Sequence, residues 1–176
     1  MTYFKDFSFI KYDYTIPQDA FPVIDTIVDL TQRIQFNISN SDLAKICDEY
    51  IVADNTTPES IAASVYNDPF LHWTIMYVND ITDLHAGWPL SGTALSEFVT
   101  KKYGTGNEEN THHYETLEGV WIDQDFCLEV YGINPKNITN YDYEYIKNEL
   151  KRHIKIIKPA YISRFVQAFK EASLNG

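Results

Sequence analysis

The sequence predicts an α+β protein, built as a small β-α-α-β core with an extended N-terminal arm and a C-terminal helix-strand-helix. Three observations predict it. A short β-type run, Tyr50-Ile51-Val52, leads straight into two helices placed back to back. Beyond Asn140 the pattern switches from helix to strand and back to helix, and the first 40 residues mix aromatics, Pro17, Pro22 and short β-type runs. The expected divisions are an arm over residues 1–45, the core over 46–103, a loop with short strands over 104–135, and the helix-strand-helix over 136–176.

Within the arm, Ile24 to Phe36 is the best-defined stretch. Thr26-Ile27-Val28-Asp29-Leu30 alternates as a strand does, whereas Val23, Ile27, Leu30 and Ile34 fit a helical period, so both readings stand. An arm rich in Phe and Tyr that cannot bury itself needs a partner. Ser41 to Cys47 can form a short helical turn after Asn40 or Ser41.

The core is read from its punctuation. In Thr56-Thr57-Pro58-Glu59, a Thr suited to the N-cap, a Pro at the first helical position and an acid in the first turn start a helix. Its apolar face is Ile61, Ala62, Val65 and Tyr66. Asn67-Asp68-Pro69 ends that helix and opens another, since Asp68 can accept orphan N–H bonds and Pro69 supplies a pre-set φ. From Phe70 to Asn79, seven of ten residues are apolar and occupy every face, which requires burial against the domain or a partner.

Ala94 to Tyr103 reads as a helix stopped by Gly104, and Thr105 to Asn110 as a loop. His113 to Leu117 and Gly119 to Phe126 read as short β-type runs, with turns at Gly119 and Asp123. Asn140 to Lys151 places Tyr143, Ile146 and Leu150 at helical spacing. Arg152 to Lys158 sets Ile154, Ile156 and Ile157 between cations, an edge-strand pattern. Pro159 opens a last helix with Ile162, Phe165, Val166 and Phe169 in one stripe.

Composition narrows the function. A 44% hydrophobic share, with 13 Tyr and 10 Phe, excludes a disordered chain and suits contact surfaces. The net charge of −11 repels phosphate backbones, so nucleic acid is a poor partner. The charge is uneven: residues 147–176 hold seven of the 14 Lys and Arg and two of the 25 acids, a net of +5, which leaves −16 on the rest. No run approaches the ~18 consecutive apolar residues that a membrane span requires, and the N-terminus lacks a signal-type apolar run. Cys47 and Cys127 are too few for a disulfide scaffold and read as reduced, buried thiols.

No reaction centre emerges, and the expectation is a protein without enzymatic activity, metal or cofactor. His112-His113 with Glu115 and Glu118 has ligand chemistry but no zinc spacing, and reads as a polar loop. His72 and His85 read as ordinary neutral rings bonded to carbonyls. The acid pairs Asp80 with Asp83 and Asp123 with Asp125 read as turn and capping residues. Gly104-Thr105-Gly106 lacks the Lys-Ser/Thr of a P-loop, and no Gly-x-Ser-x-Gly, His-Glu-x-x-His or Cys-x-x-Cys is present.

The order of these motifs carries a resemblance. Strand, helix, short turn, an all-apolar helix with Trp73 ending Val78-Asn79-Asp80, and then Gly87-Trp88-Pro89-Leu90, resemble the LysM-like baseplate wedge subunit family of T-even-type contractile-tailed phages. Val28-Asp29-Leu30-Thr31-Gln32-Arg33-Ile34 is similar to that family's N-terminal arm, and Ile154-Lys155-Ile156-Ile157-Lys158-Pro159 with its helix to the C-terminal end. About 140 of the 176 residues are covered, with residues 104–135 poorly matched.

The resemblance implies a structural protein of the virion, assembled in the host cytoplasm, that joins adjacent wedges and contacts inner-ring baseplate proteins, with no nucleic acid and no membrane. It implies an interface at Tyr12, Tyr14, Phe21, Arg33, Phe36, Lys151, Arg152 and Lys155, and a module core containing Tyr66, Trp73, Tyr77 and Trp88. The alternative is a glycan-binding module for peptidoglycan, with Trp73 or Trp88 stacking on sugar faces. Against it, Asp54-Asn55-Thr56-Thr57 replaces the usual Gly-Asp-Thr opening, and Gly87-Trp88-Pro89 replaces the Pro-Gly turn before the last strand.

Overall fold

A computed structural model describes residues 7–16, 21–29 and 39–175. The chain divides into two compact units that interleave along the sequence, one of residues 1–49, 56–82 and 155–176, the other of 50–55 and 83–154. Helix and strand coexist throughout, as an α+β chain requires.

In the first unit, β1 (Phe9–Asp13) and β2 (Ile24–Val28) form an antiparallel hairpin with Phe9 opposite Val28 and Asp13 opposite Ile24. The strand reading of residues 24–28 is therefore the one realised. Helix α1 (Asn40–Ile46) starts at Ser39, whose side chain accepts from the Asp42 N–H. Helix α2 (Pro58–Tyr66) carries a full capping box, with Thr57 and Ser60 each bonding the other's backbone, and Pro58 at its start. It ends at Asn67 in the left-handed conformation, φ 56°, which Asn tolerates better than most residues. Asp68 then caps a 3-10 turn at Pro69–Leu71 that runs directly into α3 (His72–Val78).

Helix α2 packs on α3 and on the C-terminal α8 (Pro159–Asn175). The core they enclose is aromatic: Trp73 lies 4.5 Å from Phe169 by ring centroid, and Tyr77 meets Phe165 and Phe169 edge-on. Phe7 and Cys47 complete it from the base of the hairpin and the start of β3 (Cys47–Ile51). Tyr66 donates its hydroxyl to the Ile157 carbonyl at 2.8 Å, and burial pushes that phenol up to about 12.

Strand β3 pairs with β7 (His153–Ile157), about a hundred residues further on. Val52 N–H donates to Arg152 O at one end and Lys158 N–H to Ile46 O at the other, so the two strands run in opposite directions. Residues 47–49 with 155–157 belong to the first unit, and 50–51 with 153–154 to the second. The outer edge of β7 is closed by a side chain. Asn79 Nδ2 donates to Lys155 O at 2.7 Å and its Oδ1 accepts from Lys155 N–H at 2.8 Å, standing in for the peptide of a third strand.

The second unit is built around α5 (Gly92–Tyr103) and α7 (Asn140–Leu150), which pack together, and a three-stranded sheet in the order β5 (Trp121–Ile122), β4 (Thr111–Glu115), β6 (Lys136–Thr139). The short α4 (Leu84–Gly87) precedes buried Trp88. Helix α7 turns an unexpected face inward. Asn140, Glu144 and Asn148, one every four residues, are buried, while Ile146 and Leu150 of the apolar spacing are exposed.

Each buried polar group has partners. Asn140 Nδ2 donates to Asn107 O at 2.8 Å. Glu144 accepts from Lys102 at 2.6 Å and from the Tyr103 hydroxyl at 2.9 Å. Asn148 donates to Leu90 O at 2.9 Å and accepts from Leu90 N–H at 2.7 Å. This repeats on α7 the peptide-like clamp that Asn79 makes on β7.

Two expectations change here. The strand implied after Gly87-Trp88-Pro89 is absent: Leu90 is held by Asn148 instead, α5 follows at once, and the strand closing on β3 is β7. The β-type run expected up to Phe126 stops at Ile122, because Asp123 accepts from the Phe126 N–H and starts α6 (Gln124–Tyr131). Gly132 ends that helix at φ +66°, a backbone that favours glycine.

Replacing Asn148 by Ala should leave the Leu90 N–H without its partner and the Leu90 C=O with only the long Arg152 contact at 3.5 Å. We expect a loss of about 2–3 kcal/mol in urea unfolding, against less than about 0.5 kcal/mol for an exposed control such as Ser96→Ala.

Candidate partner interface

The sequence-predicted contact residues fall on separate structures. Tyr12 and Tyr14 stand on the first hairpin strand and its continuation, with ring centroids 4.7 Å apart and roughly half of each side chain exposed. Phe21, on the return toward β2, is 81% exposed. The hairpin is zipped along its length: Asp29 N–H donates to Ser8 O, and Tyr14 N–H to Val23 O at 2.8 Å. Thr15 Oγ1 accepts from Val23 N–H at 2.9 Å and donates to the Asp13 carboxylate, which also accepts from the Thr15 N–H at 2.8 Å, and these two bonds from Thr15 hold that carboxyl below its ordinary range. The aromatics are thus presented on a defined backbone. A two-stranded ribbon with Phe9, Tyr12 and Ile24 all exposed buries little for itself.

Arg33 and Phe36 lie outside the described residues. Of the basic residues, Arg152 is tied inward. Its guanidinium donates to Glu149 at 2.7 Å, to Asp54 at 3.0 Å and to the Val52 carbonyl at 3.1 Å, and its side chain is 14% exposed. Lys151 is half-buried in the same unit, and Lys155 is exposed on β7 in the first unit. Of the expected module core, Tyr66, Trp73 and Tyr77 lie in the first unit and Trp88 in the second.

The polar loop reading of His112 and His113 gives way to a built cluster. Both rings sit on β4, where His112 stacks on Tyr143 at 3.9 Å and His113 on Trp121 at 4.0 Å. Their Nδ1 atoms share a hydrogen bond of 2.8 Å, so one ring must present a bare nitrogen, and His113 Nε2 contacts Glu115 at 2.9 Å. Burial, then the neighbouring His113, hold His112 below its ordinary value. Among the described residues no three His, Cys, Asp or Glu side chains converge as a metal-ligand set, and no helix is long and apolar enough to cross a membrane.

Sequence reasoning missed α6 and the exposed apolar residues around it, although Asp123 and Gly132 bracket it with start and stop chemistry. It also missed a groove of ≈ 710 Å³ beside α5 and α7, lined by Leu90, Phe98, Lys101, Lys147 and Lys151 among others. No linear pattern marks such a groove, because its walls come from separate helices.

A small α+β body that exposes aromatics on a zipped hairpin has the form of an assembly subunit. Comparison with known proteins states which assembly. A family model described as base plate wedge protein 53 matches residues 4–125, and the chain belongs to that phage family. The baseplate wedge protein gp53 of Enterobacteria phage T4 is 26% identical over 134 residues, covering 66% of this chain and 68% of that protein. The protein is a structural component of the phage tail baseplate, where it meets other baseplate proteins.

The buried groups make stability depend on pH in two windows. His112 titrates lower in the folded than in the unfolded chain, so stability is lost as pH falls below about 6.5 toward the folded value. For Glu144, burial raises the carboxyl but the Lys102 and Tyr103 bonds outweigh it, so its contribution is complete above about pH 4.5 and lost as pH falls through the lowered value. Thermal melts from pH 8 to 3 should show both slopes. His112→Asn should flatten the first and Glu144→Gln the second, and equal slopes in all three proteins would contradict the assignment.

Proposed function

We propose that this chain is a non-enzymatic clamp of the baseplate wedge. The arm of residues 1–45 and the cations of residues 136–176 grip neighbouring wedge and inner-ring components. The observation that carries this reading is the zipped hairpin with Tyr12, Tyr14 and Phe21 exposed.

Magnitudes rank the two contact types. Covering the exposed part of one such ring, about 100 Å², is worth roughly 2.5 kcal/mol before ordering costs. An exposed ion pair is worth about 0–1 kcal/mol. The aromatics therefore supply the affinity, while the lysines set encounter rate and orientation. Since the Arg152 guanidinium is occupied by Glu149, Asp54 and Val52, the direct contacts fall to Lys151 and Lys155. The structural role of the family supports the non-enzymatic reading.

Co-expression with the other wedge proteins of the same phage tests the reading. A Tyr12→Ser, Tyr14→Ser, Phe21→Ser chain should keep its circular dichroism and melting temperature, yet lose co-purification by about 100-fold or more. Lys151→Glu with Lys155→Glu should slow association and weaken its salt dependence. Full co-purification of the aromatic triple variant would overturn the clamp, as would pelleting of the wild-type chain with peptidoglycan in place of any association with wedge proteins.

A further inference from the structure

The second unit carries two open surfaces of opposite sign. The first is a ridge formed by the β4–β5 turn and α6. Between Leu117 and Ile133 eight large apolar side chains are exposed, among them Leu117 at 87%, Phe126, Val130 and Tyr131. Of α6 itself only Cys127 is buried. At roughly 100 Å² apiece these side chains expose about 800 Å² in all, and because those of α6 face several directions a single contact covers about half of it, the low end of a specific protein interface. A large patch of this kind marks a contact surface. The charges set into it, Glu118, Asp123, Asp125 and Glu129, are exposed and all acidic.

The second surface is the groove of ≈ 710 Å³ along α5 and α7. Its lining joins apolar Leu90, Leu95 and Phe98 to the cations Lys101, Lys147 and Lys151. Glu144 at its side is already neutralised by Lys102 at 2.6 Å, which leaves Glu97 as the remaining acid. No residue from Leu117 to Ile133 lines this groove, so one copy does not fill its own groove with its own ridge. Nucleic acid is a poor occupant, because Glu97 and Glu144 stand among the lysines, no Arg is present, and the whole chain carries −11.

We propose that the apolar, acidic ridge of one copy docks in the lysine-lined groove of a second copy. Both halves of the match are on the same unit: apolar side chains meet an apolar lining, and Asp125 and Glu129 meet Lys147 and Lys151. Such a contact is heterologous, head to tail, and it generates a closed ring where the rotation between copies permits and an open chain where it does not. It shares Lys151 with the clamp reading but is distinguished from it by self-association, which needs no other wedge protein.

Sedimentation velocity on the purified full chain at about 100 µM, in low and high salt, tests it. The wild type should self-associate at low salt and dissociate at high salt. Asp125→Lys with Glu129→Lys should weaken association at least tenfold, as should Lys147→Glu with Lys151→Glu, each with unchanged circular dichroism. An equimolar mixture of the two variants should regain it, since each groove then meets a ridge of opposite sign. If Lys147→Glu melts early through loss of its contact with the Tyr143 ring, Lys101→Glu with Lys151→Glu replaces that pair. A monomeric wild type, association indifferent to the swaps, or a mixture that stays apart would overturn the proposal. So would a monomer whose swaps impair only capture by co-expressed wedge proteins.

Discussion

The pairing of β3 with β7 is the constraint from which the rest follows. It joins Cys47–Ile51 to His153–Ile157 across about a hundred residues, and each strand passes from one unit into the other. Closing a loop of that length costs roughly 4 kcal/mol in chain entropy. Burial of Ile154, Ile156 and Ile157 at about 2 kcal/mol each exceeds that cost, before any hydrogen bond is counted. The bonds decide something else, namely register. Asn79 fixes Lys155 in the first unit, and Arg152 fixes Val52 and Asp54 in the second, so a slip by one residue would break both sets and move Ile154 and Ile156 to the opposite face from the one they occupy.

The two units are stabilised by different means. The first is a conventional aromatic and aliphatic core in which Trp73, Phe165 and Phe169 interlock. The second turns the polar stripe Asn140, Glu144 and Asn148 of α7 inward and satisfies every group on it. A polar interior of this kind adds little net stability but strongly penalises wrong arrangements, because each displaced group would be buried without a partner. The apolar residues thereby left outside, Ile146 and Leu150 on α7 and the ridge around α6, are surface available to an assembly. In a baseplate protein this division is physically sensible, since affinity for partners has to come from surface that the isolated chain does not bury.

Local chemistry was legible in the sequence, and pairing at a distance was not. The Thr57 cap with Pro58, the Asp68-Pro69 junction, the Gly104 stop and the helix opened by Pro159 were all readable from a few adjacent residues. The partner of β3 was not readable, because the run Ile154-Lys155-Ile156-Ile157 specifies a strand but no address. The inward face of α7 was misleading for a definite reason: Tyr143, Ile146 and Leu150 have the apolar period, whereas Asn148 and Glu144 find their partners on segments some 40 to 60 residues away. Helix α6 was hidden because its apolar residues face several directions, so no stripe announces it, and only its caps do. The interface expectations rested on exposed aromatics in the arm, which are recognisable, and on Arg152, whose inward ties come from Asp54 and Val52, far away in the sequence. The family match ends at residue 125, so α7, β7 and α8 are interpreted on their own geometry.

Native-state hydrogen exchange at individual amides tests the central constraint most directly. If β3–β7 pairing underlies both units, the amides of Val52 and Lys158, which donate across the pair to Arg152 and Ile46, should exchange only through global unfolding. They should match the protection of Ile61 in α2, while Tyr14 in the hairpin exchanges through local opening at far lower free energy. Exchange of Val52 and Lys158 at the hairpin's rate, with Ile61 still protected, would contradict the account.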